Sequence, residues 1–195
     1  MKGAPGWKKS GDSVDGVWKE SLIPWLGKVC GLKTLIETGT CQGSMIVACQ
    51  RHFDRIYSVE LSTAYYLDAL IRVGHYTNVR LYSGDSRDIL PKMILDAPDD
   101  PLLFWLDAHP SGIGGCGPTA DAGNPLAQEV QLITRYRPDS LVVVDDLADG
   151  DFYFKDDPNG TEVWREILDG WTRDYRTGEL ILHRGNYVIP PFEEQ

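Results

Sequence analysis

Apolar and polar residues follow one another in blocks that predict a largely parallel α/β sheet. Short apolar runs with strand character alternate with longer stretches in which apolar residues recur at helical spacing. The predicted strands are residues 33–37, 55–61, 79–83, 101–107, 141–145, 180–183 and 186–189. The predicted helices between them are residues 44–52, 62–74, 86–95, 126–136 and 161–171.

The two ends of the chain show different patterns. A helix is predicted to begin at Asp12 or Ser13, and Pro24 is expected to divide it because proline lacks a backbone donor. Arg184-Gly185 predicts a tight turn between the last two strands. We therefore expect an N-terminal lead with a helical extension over residues 1–28, followed by one domain over residues 29–195.

Charge and composition narrow the function. The 195 residues carry a net charge of −10 and a pI near 4.8, which disfavours nucleic acid and anionic membrane surfaces as partners. The sequence contains no apolar run of the ~20 residues that span a bilayer, and we expect no signal peptide. The four cysteines, Cys30, Cys41, Cys49 and Cys116, show no C-x-x-C spacing. They are predicted to be free thiols of a cytoplasmic protein.

Carboxylates recur at the carboxyl ends of consecutive predicted strands. These residues are Glu37, Glu60, Asp85, Asp107 and the pair Asp145-Asp146. An isolated acidic residue at a strand end usually forms a turn, but five such positions in succession exceed what turn formation requires. Ligands of open parallel sheets bind at this edge, so the carboxylates predict a binding site there.

The first strand leads into a glycine turn with the sequence E-T-G-T-C-Q-G-S at residues 37–44. Gly39 and Gly43 allow a ligand to approach the backbone closely, but the turn lacks the G-x-G-x-x-G pattern of dinucleotide sites. Glu37 would repel a phosphate and suits a ligand with a cationic group. Glu60 is placed to accept hydrogen bonds from ribose hydroxyls, and Asp85 from an exocyclic amine. An adenosine that carries a sulfonium or ammonium group fits these features better than NAD.

These residues resemble the class I S-adenosylmethionine-dependent methyltransferases over about residues 30–150. Cys41 stands where that class commonly has a middle glycine, which is similar to the small metal-dependent O-methyltransferases of the catechol and caffeoyl-coenzyme A type. Asp107-Ala108-His109 resembles their D-A-D segment, and D-D-L-A-D-G at residues 145–150 resembles their D-N-x-x-x-G. The macrocin-type sugar O-methyltransferases also place an Asp-Asp pair at this point.

The resemblance implies a fold and an activity. The fold is a Rossmann-like, doubly wound sheet of seven strands in the order 3-2-1-4-5-7-6, with the last strand antiparallel. The activity is methyl transfer from S-adenosylmethionine to a hydroxyl group of a small molecule. The residues implied to bind the cofactor are Glu37, Gly39, Thr40, Gly43, Ser44, Glu60, Asp85, Ser86 and Asp107.

A divalent cation is the second implied cofactor. Neighbouring strands lie about 4.8 Å apart, so Asp107, Asp145 and Asp146 could converge on Mg²⁺ or another hard cation and orient the acceptor hydroxyl. Strand alternation would point Asp145 and Asp146 to opposite faces unless the strand has already turned. The predicted catalytic residues are Asp107 and His109, the latter as general base. Catechol-type enzymes have a lysine three residues after the first aspartate, where this chain has Pro110.

Other interpretations stay open at this point. The enzyme could be a metal-independent methyltransferase that acts on nitrogen or oxygen, and the chain could be a cofactor-binding module without catalysis. An NAD-dependent oxidoreductase is disfavoured by the missing glycine pattern. The glycine-rich residues 111–125 are a candidate substrate lid, and a homodimer is possible.

Overall fold

The computed structural model describes residues 15–108, 123–145, 169–176, 179–184 and 187–190. Five helices are present in these ranges: α1 Asp15–Cys30, α2 Ser44–Cys49, α3 Thr63–Val73, α4 Ser86–Asp96 and α5 Leu126–Tyr136. The strands are β1 Thr34–Thr38, β2 Arg55–Glu60, β3 Val79–Ser83, β4 Leu103–Leu106, β5 Leu141–Val144, β6 Thr172–Arg176 and β7 Glu179–His183.

The strands form one mixed sheet. Their order is β3-β2-β1-β4-β5-β7-β6, which is the order that the resemblance implied. Strands β1 to β5 are parallel to their neighbours, whereas β7 runs antiparallel to both β5 and β6. The predicted α/β class and the doubly wound parallel core are therefore confirmed.

Apolar side chains pack on both faces of the sheet because strand residues alternate between the faces. On β4, Phe104 and Leu106 face a core built with α4 and α5, whereas Leu103 and Trp105 face a core built with α1, α2 and α3. All four side chains are buried, which explains the uninterrupted apolar run of this strand.

Helix α1 is continuous, so the expectation that Pro24 divides it was wrong. A proline inside a helix removes one backbone hydrogen bond and costs about 3 kcal/mol. Leu22, Ile23 and Leu26 on the same helix are fully buried against the sheet. Burial of such side chains contributes about 1.5–3 kcal/mol each, enough to offset the proline.

The predicted C-terminal hairpin was also wrong. Strand β7 pairs with the upstream residues Thr172–Arg176 and not with residues 186–189. Residues 187–190 contain no strand. The sequence T-R-D-Y-R shows no apolar alternation, and among the described residues β6 is the edge strand of the sheet.

Other predictions fall on residues outside the described ranges, among them most of the helix at residues 161–171 and most of the lid segment at residues 111–125. Within the described ranges, every helix is too short or too polar to cross a bilayer.

Candidate active site

The turn between β1 and α2 brings the backbone of two strand ends into contact. Gly39 has a φ of +85°, and a Cβ atom built on it would lie 2.5 Å from the carbonyl oxygen of Asp107. Gly43 has a φ of +76°. Both glycines therefore occupy backbone conformations that disfavour other residues. A side chain at Gly39 would also clash with the backbone of Asp107, which follows the last strand residue Leu106. Ser44 begins α2, where its hydroxyl accepts a hydrogen bond from Arg72.

Glu60 fixes this turn from the end of β2. Its Oε2 atom accepts a hydrogen bond from the backbone N–H of Cys41 at 2.7 Å, and its Oε1 atom accepts one from Ser62 at 2.8 Å. The side chain is almost completely buried. Each carboxylate oxygen can accept more than one hydrogen bond, so Glu60 retains capacity for a ligand hydroxyl.

Glu37 lies beneath the turn, in a chain of buried hydrogen bonds. The register of β1 and β2 places it opposite Ser58, whose hydroxyl donates to Glu37 Oε2 at 2.5 Å. The Ser58 and Thr40 hydroxyls also lie 2.5 Å apart. Burial raises the pKa of Glu37 to about 8; the Ser58 hydrogen bond opposes the rise, and the charge of Glu60 adds to it. Glu37 therefore supports the turn as a protonated acid at neutral pH.

Asp85 is the N-cap of α4, which begins at Ser86 as predicted. Its Oδ1 atom accepts hydrogen bonds from the backbone N–H and the Nε of Arg87, both at 2.9 Å, and its Oδ2 atom pairs with the guanidinium at 2.5 Å. The Arg87 hydrogen bonds lower the pKa of Asp85, which keeps it ionised. The carboxylate that was expected to meet an exocyclic amine thus already binds Arg87. Ser86, the next residue, is buried.

The carboxylates of Asp107 and Asp145 meet at the ends of β4 and β5. Residue alternation places both on the face that α1 covers, together with Glu37. Lys19 of α1 reaches Asp145, with Nζ 2.5 Å from Oδ1. Burial, the charge of Asp145 and a hydrogen bond with Asp145 together raise the pKa of Asp107 to about 9, and the charge of Lys19 opposes the rise. Two carboxyl groups and the Lys19 side chain thus form one buried cluster at this edge of the sheet.

The described part of this donor set, as it stands, does not fit a divalent cation. Hard cations need carboxylate oxygens that are available as ligands, whereas Oδ1 of Asp145 is already paired with the Lys19 Nζ atom. The described residues contain no group of three histidine, cysteine or acidic side chains that could hold a metal ion. Asp146, the third implied ligand, lies outside the described residues, as does the predicted general base His109.

Three side chains of the site were not predicted from the sequence. Lys19 was placed in an N-terminal extension, and its pairing depends on how α1 packs on the sheet. Ser58 could have been found by aligning β1 with β2, since their register pairs it with Glu37. Arg87 follows the N-cap by two residues, a spacing that allows such a pair but does not require it.

The expectation of four free thiols was wrong for Cys41, which is disulfide-bonded. Cys30 and Cys49 are not disulfide-bonded, and Cys116, the remaining cysteine of the sequence, lies outside the described residues. Spacing along the sequence gave no signal because a disulfide depends on which loops meet in space. Disulfides are typical of oxidising compartments, so the cytoplasmic location stays a prediction.

We expect alkylation of the unfolded, unreduced protein to label two of its four cysteines, and all four after reduction. Intact mass spectrometry counts the labels. Three labels without reductant would place Cys41 in a bond between two copies of the chain. Four labels would contradict the disulfide.

No protein-family model matches the sequence, and no curated protein sequence matches it either. The fold, in contrast, is similar to that of solved structures. A protein from Staphylococcus aureus that is assigned as a caffeoyl-CoA O-methyltransferase matches with a TM-score of 0.61 at 16% identity, over 86% of this chain and 83% of its own.

Two further structures were solved with a ligand. The O-methyltransferase TomG from Streptomyces achromogenes, in complex with S-adenosylmethionine and involved in tomaymycin synthesis, matches with a TM-score of 0.58 at 22% identity, over 86% of this chain and 80% of its own. An O-methyltransferase from Bacillus cereus, in complex with S-adenosylhomocysteine, matches with a TM-score of 0.54 at 15% identity, over 89% and 81%. The resemblance to class I O-methyltransferases is thus confirmed at the level of the fold.

Proposed function

We propose that this chain is an S-adenosylmethionine-dependent methyltransferase that acts on a hydroxyl group of a small molecule. The observation that carries the proposal is the buried carboxylate of Glu60, which holds the Cys41 and Ser62 amides at the end of β2. In an open parallel sheet, an acidic residue at this position is placed to accept hydrogen bonds from a ribose. The similarity to O-methyltransferase folds supports the same assignment.

The residues present fit an adenosyl cofactor. Glu60 would accept from the ribose, and the close approach of Gly39 to the Asp107 backbone would hold the glycine turn beside the cofactor. Asp85 would accept a hydrogen bond from the exocyclic amine, either while it still accepts from Arg87 or after the Arg87 side chain has moved away. When bound, the cofactor supplies an electrophilic methyl group on a sulfonium.

Acceptor binding is proposed at the ends of β4 and β5. Asp107 and Asp145 supply carboxyl oxygens that can hold an acceptor hydroxyl by hydrogen bonds, which fixes the direction of its oxygen. His109 follows Asp107 by two residues and is our proposed general base for the hydroxyl proton. Specificity for one class of acceptor would come from residues beyond this cluster.

The test is a calorimetric titration of S-adenosylhomocysteine into the protein, once with Mg²⁺ and once with EDTA. We expect binding with a micromolar dissociation constant in both conditions and no binding of NAD. Absence of S-adenosylhomocysteine binding in both conditions would overturn the proposal. Cofactor binding without turnover across a panel of hydroxyl acceptors would instead favour a non-catalytic binding module.

A further inference from the structure

We propose that the ammonium group of Lys19 takes the place of a divalent cation at the ends of β4 and β5. The inference rests on the proposed function, because it concerns the acceptor side of the same site. It assigns Lys19 as a positioning residue that holds the carboxylate of Asp145, which in turn hydrogen-bonds to Asp107. The site is then closed to hard cations while Lys19 is present.

The first argument is geometric. Asp107 and Asp145 follow β4 and β5 in register, since Leu106 pairs with Val144 and the two aspartate amides donate to Thr38 and Leu106. Both side chains therefore leave the sheet on the α1 face. The Lys19 Nζ atom lies 2.5 Å from Asp145 Oδ1, which is the distance of a close ion pair.

The second argument is burial. Only 4% of the Asp145 side chain and 21% of the Lys19 side chain are exposed to solvent. A buried carboxylate needs a counter-charge, and removal of one partner leaves the other uncompensated. Lys19 supplies that charge to Asp145 from inside the protein, so this oxygen requires no metal ion.

The third argument is the anchoring of Lys19. It lies on α1 one turn before Leu22 and Ile23, which are fully buried in the core that covers this face of the sheet. Helix α1 also packs against α2, which begins after the glycine turn. The backbone of Lys19 is therefore held in place by the packing of α1. A cation could reach Asp145 only if the Lys19 side chain left its position.

Direct binding of Mn²⁺ tests the proposal without an activity assay. Free Mn²⁺ is followed by its electron paramagnetic resonance signal during titration of the wild type, Lys19→Met, Lys19→Arg and a control, Lys28→Met. Lys28 is an exposed lysine in the last turn of the same helix. We expect Lys19→Met to bind Mn²⁺ at least about tenfold more tightly than the wild type, Lys19→Arg and the control.

A double variant locates the new site. Adding Asp145→Asn to Lys19→Met should abolish the gained Mn²⁺ binding, because Asp145 loses its charge. A wild type that binds one equivalent of Mn²⁺ as tightly as Lys19→Met would overturn the proposal, as would a folded Lys19→Met variant that gains no site. Should Lys19→Met fail to fold, the wild-type titration and Lys19→Gln decide the question.

S-Adenosylhomocysteine titrations of the same samples separate this proposal from the proposed function. We expect Lys19→Met to bind S-adenosylhomocysteine within about threefold of the wild type, because Lys19 lies on the acceptor side. If the wild type does not bind S-adenosylhomocysteine, the proposed function is overturned. The Mn²⁺ titrations would still decide whether Lys19 excludes the cation. A gain of Mn²⁺ binding with unchanged cofactor binding would support both.

Discussion

Replacement of Glu60 by glutamine is expected to weaken binding of S-adenosylhomocysteine by about 30- to 100-fold. Hydrogen bonds to a charged acceptor contribute about 1.5–3 kcal/mol each, and 1.4 kcal/mol corresponds to a factor of ten. Glutamine has the same size but only one acceptor oxygen, and it carries no charge. Its single acceptor oxygen can keep one of the two backbone amides that Glu60 holds, and it offers the ribose hydroxyls a neutral amide in place of a carboxylate.

The same variant could weaken binding indirectly, by loosening the turn at Cys41. Deoxyribose analogues of S-adenosylhomocysteine distinguish the two causes. If Glu60 contacts the ribose, removal of the hydroxyl from the ligand should weaken binding to the wild type and have little further effect on Glu60→Gln. Equal losses in both proteins would assign Glu60 to the support of the turn alone. Unchanged affinity of Glu60→Gln for the complete ligand would contradict the ribose assignment.

Most of the fold could be predicted because its signals are local. Strand β3 and helix α5 have the predicted bounds, Val79–Ser83 and Leu126–Tyr136. Asp85 indicates where α4 begins, because an aspartate side chain accepts hydrogen bonds from the free N–H groups at the start of a helix. The strand-end carboxylates follow from the same reasoning, since parallel strands bring their carboxyl ends to one edge.

The parts that were missed depend on contacts between distant segments. The pair of Lys19 and Asp145 joins residues that lie far apart along the sequence, and no spacing predicts it. Strand β6 is polar and lies at the sheet edge, so only its pairing with β7 identifies it. In α1, burial of apolar residues around Pro24 outweighs a local signal for a break. Local patterns therefore predicted which carboxylates lie at one edge of the sheet, whereas tertiary packing decided which charges they meet there.

Glu37 is expected to make the protein less stable as the pH rises. Its pKa is about 4.5 in the unfolded chain and about 8 in the folded protein, so the folded state binds more protons between these values. The free energy of unfolding then falls with increasing pH across that range. Asp107, whose pKa is raised to about 9, acts in the same direction.

Glu37→Gln isolates the contribution of Glu37, because the amide is neutral at every pH and its oxygen can still accept from Ser58. The free energy of unfolding, measured by urea titration, should be similar for the variant and the wild type near pH 4. By pH 9 the variant should be more stable by roughly 3 to 6 kcal/mol, since each pKa unit corresponds to about 1.4 kcal/mol. Asp68→Asn, a change at an exposed residue of α3, should run parallel to the wild type across the series.

A difference between Glu37→Gln and the wild type that stays constant with pH would show that Glu37 is ionised in the folded protein. The buried hydrogen-bond chain beneath the glycine turn would then be held by a charge and not by a shared proton.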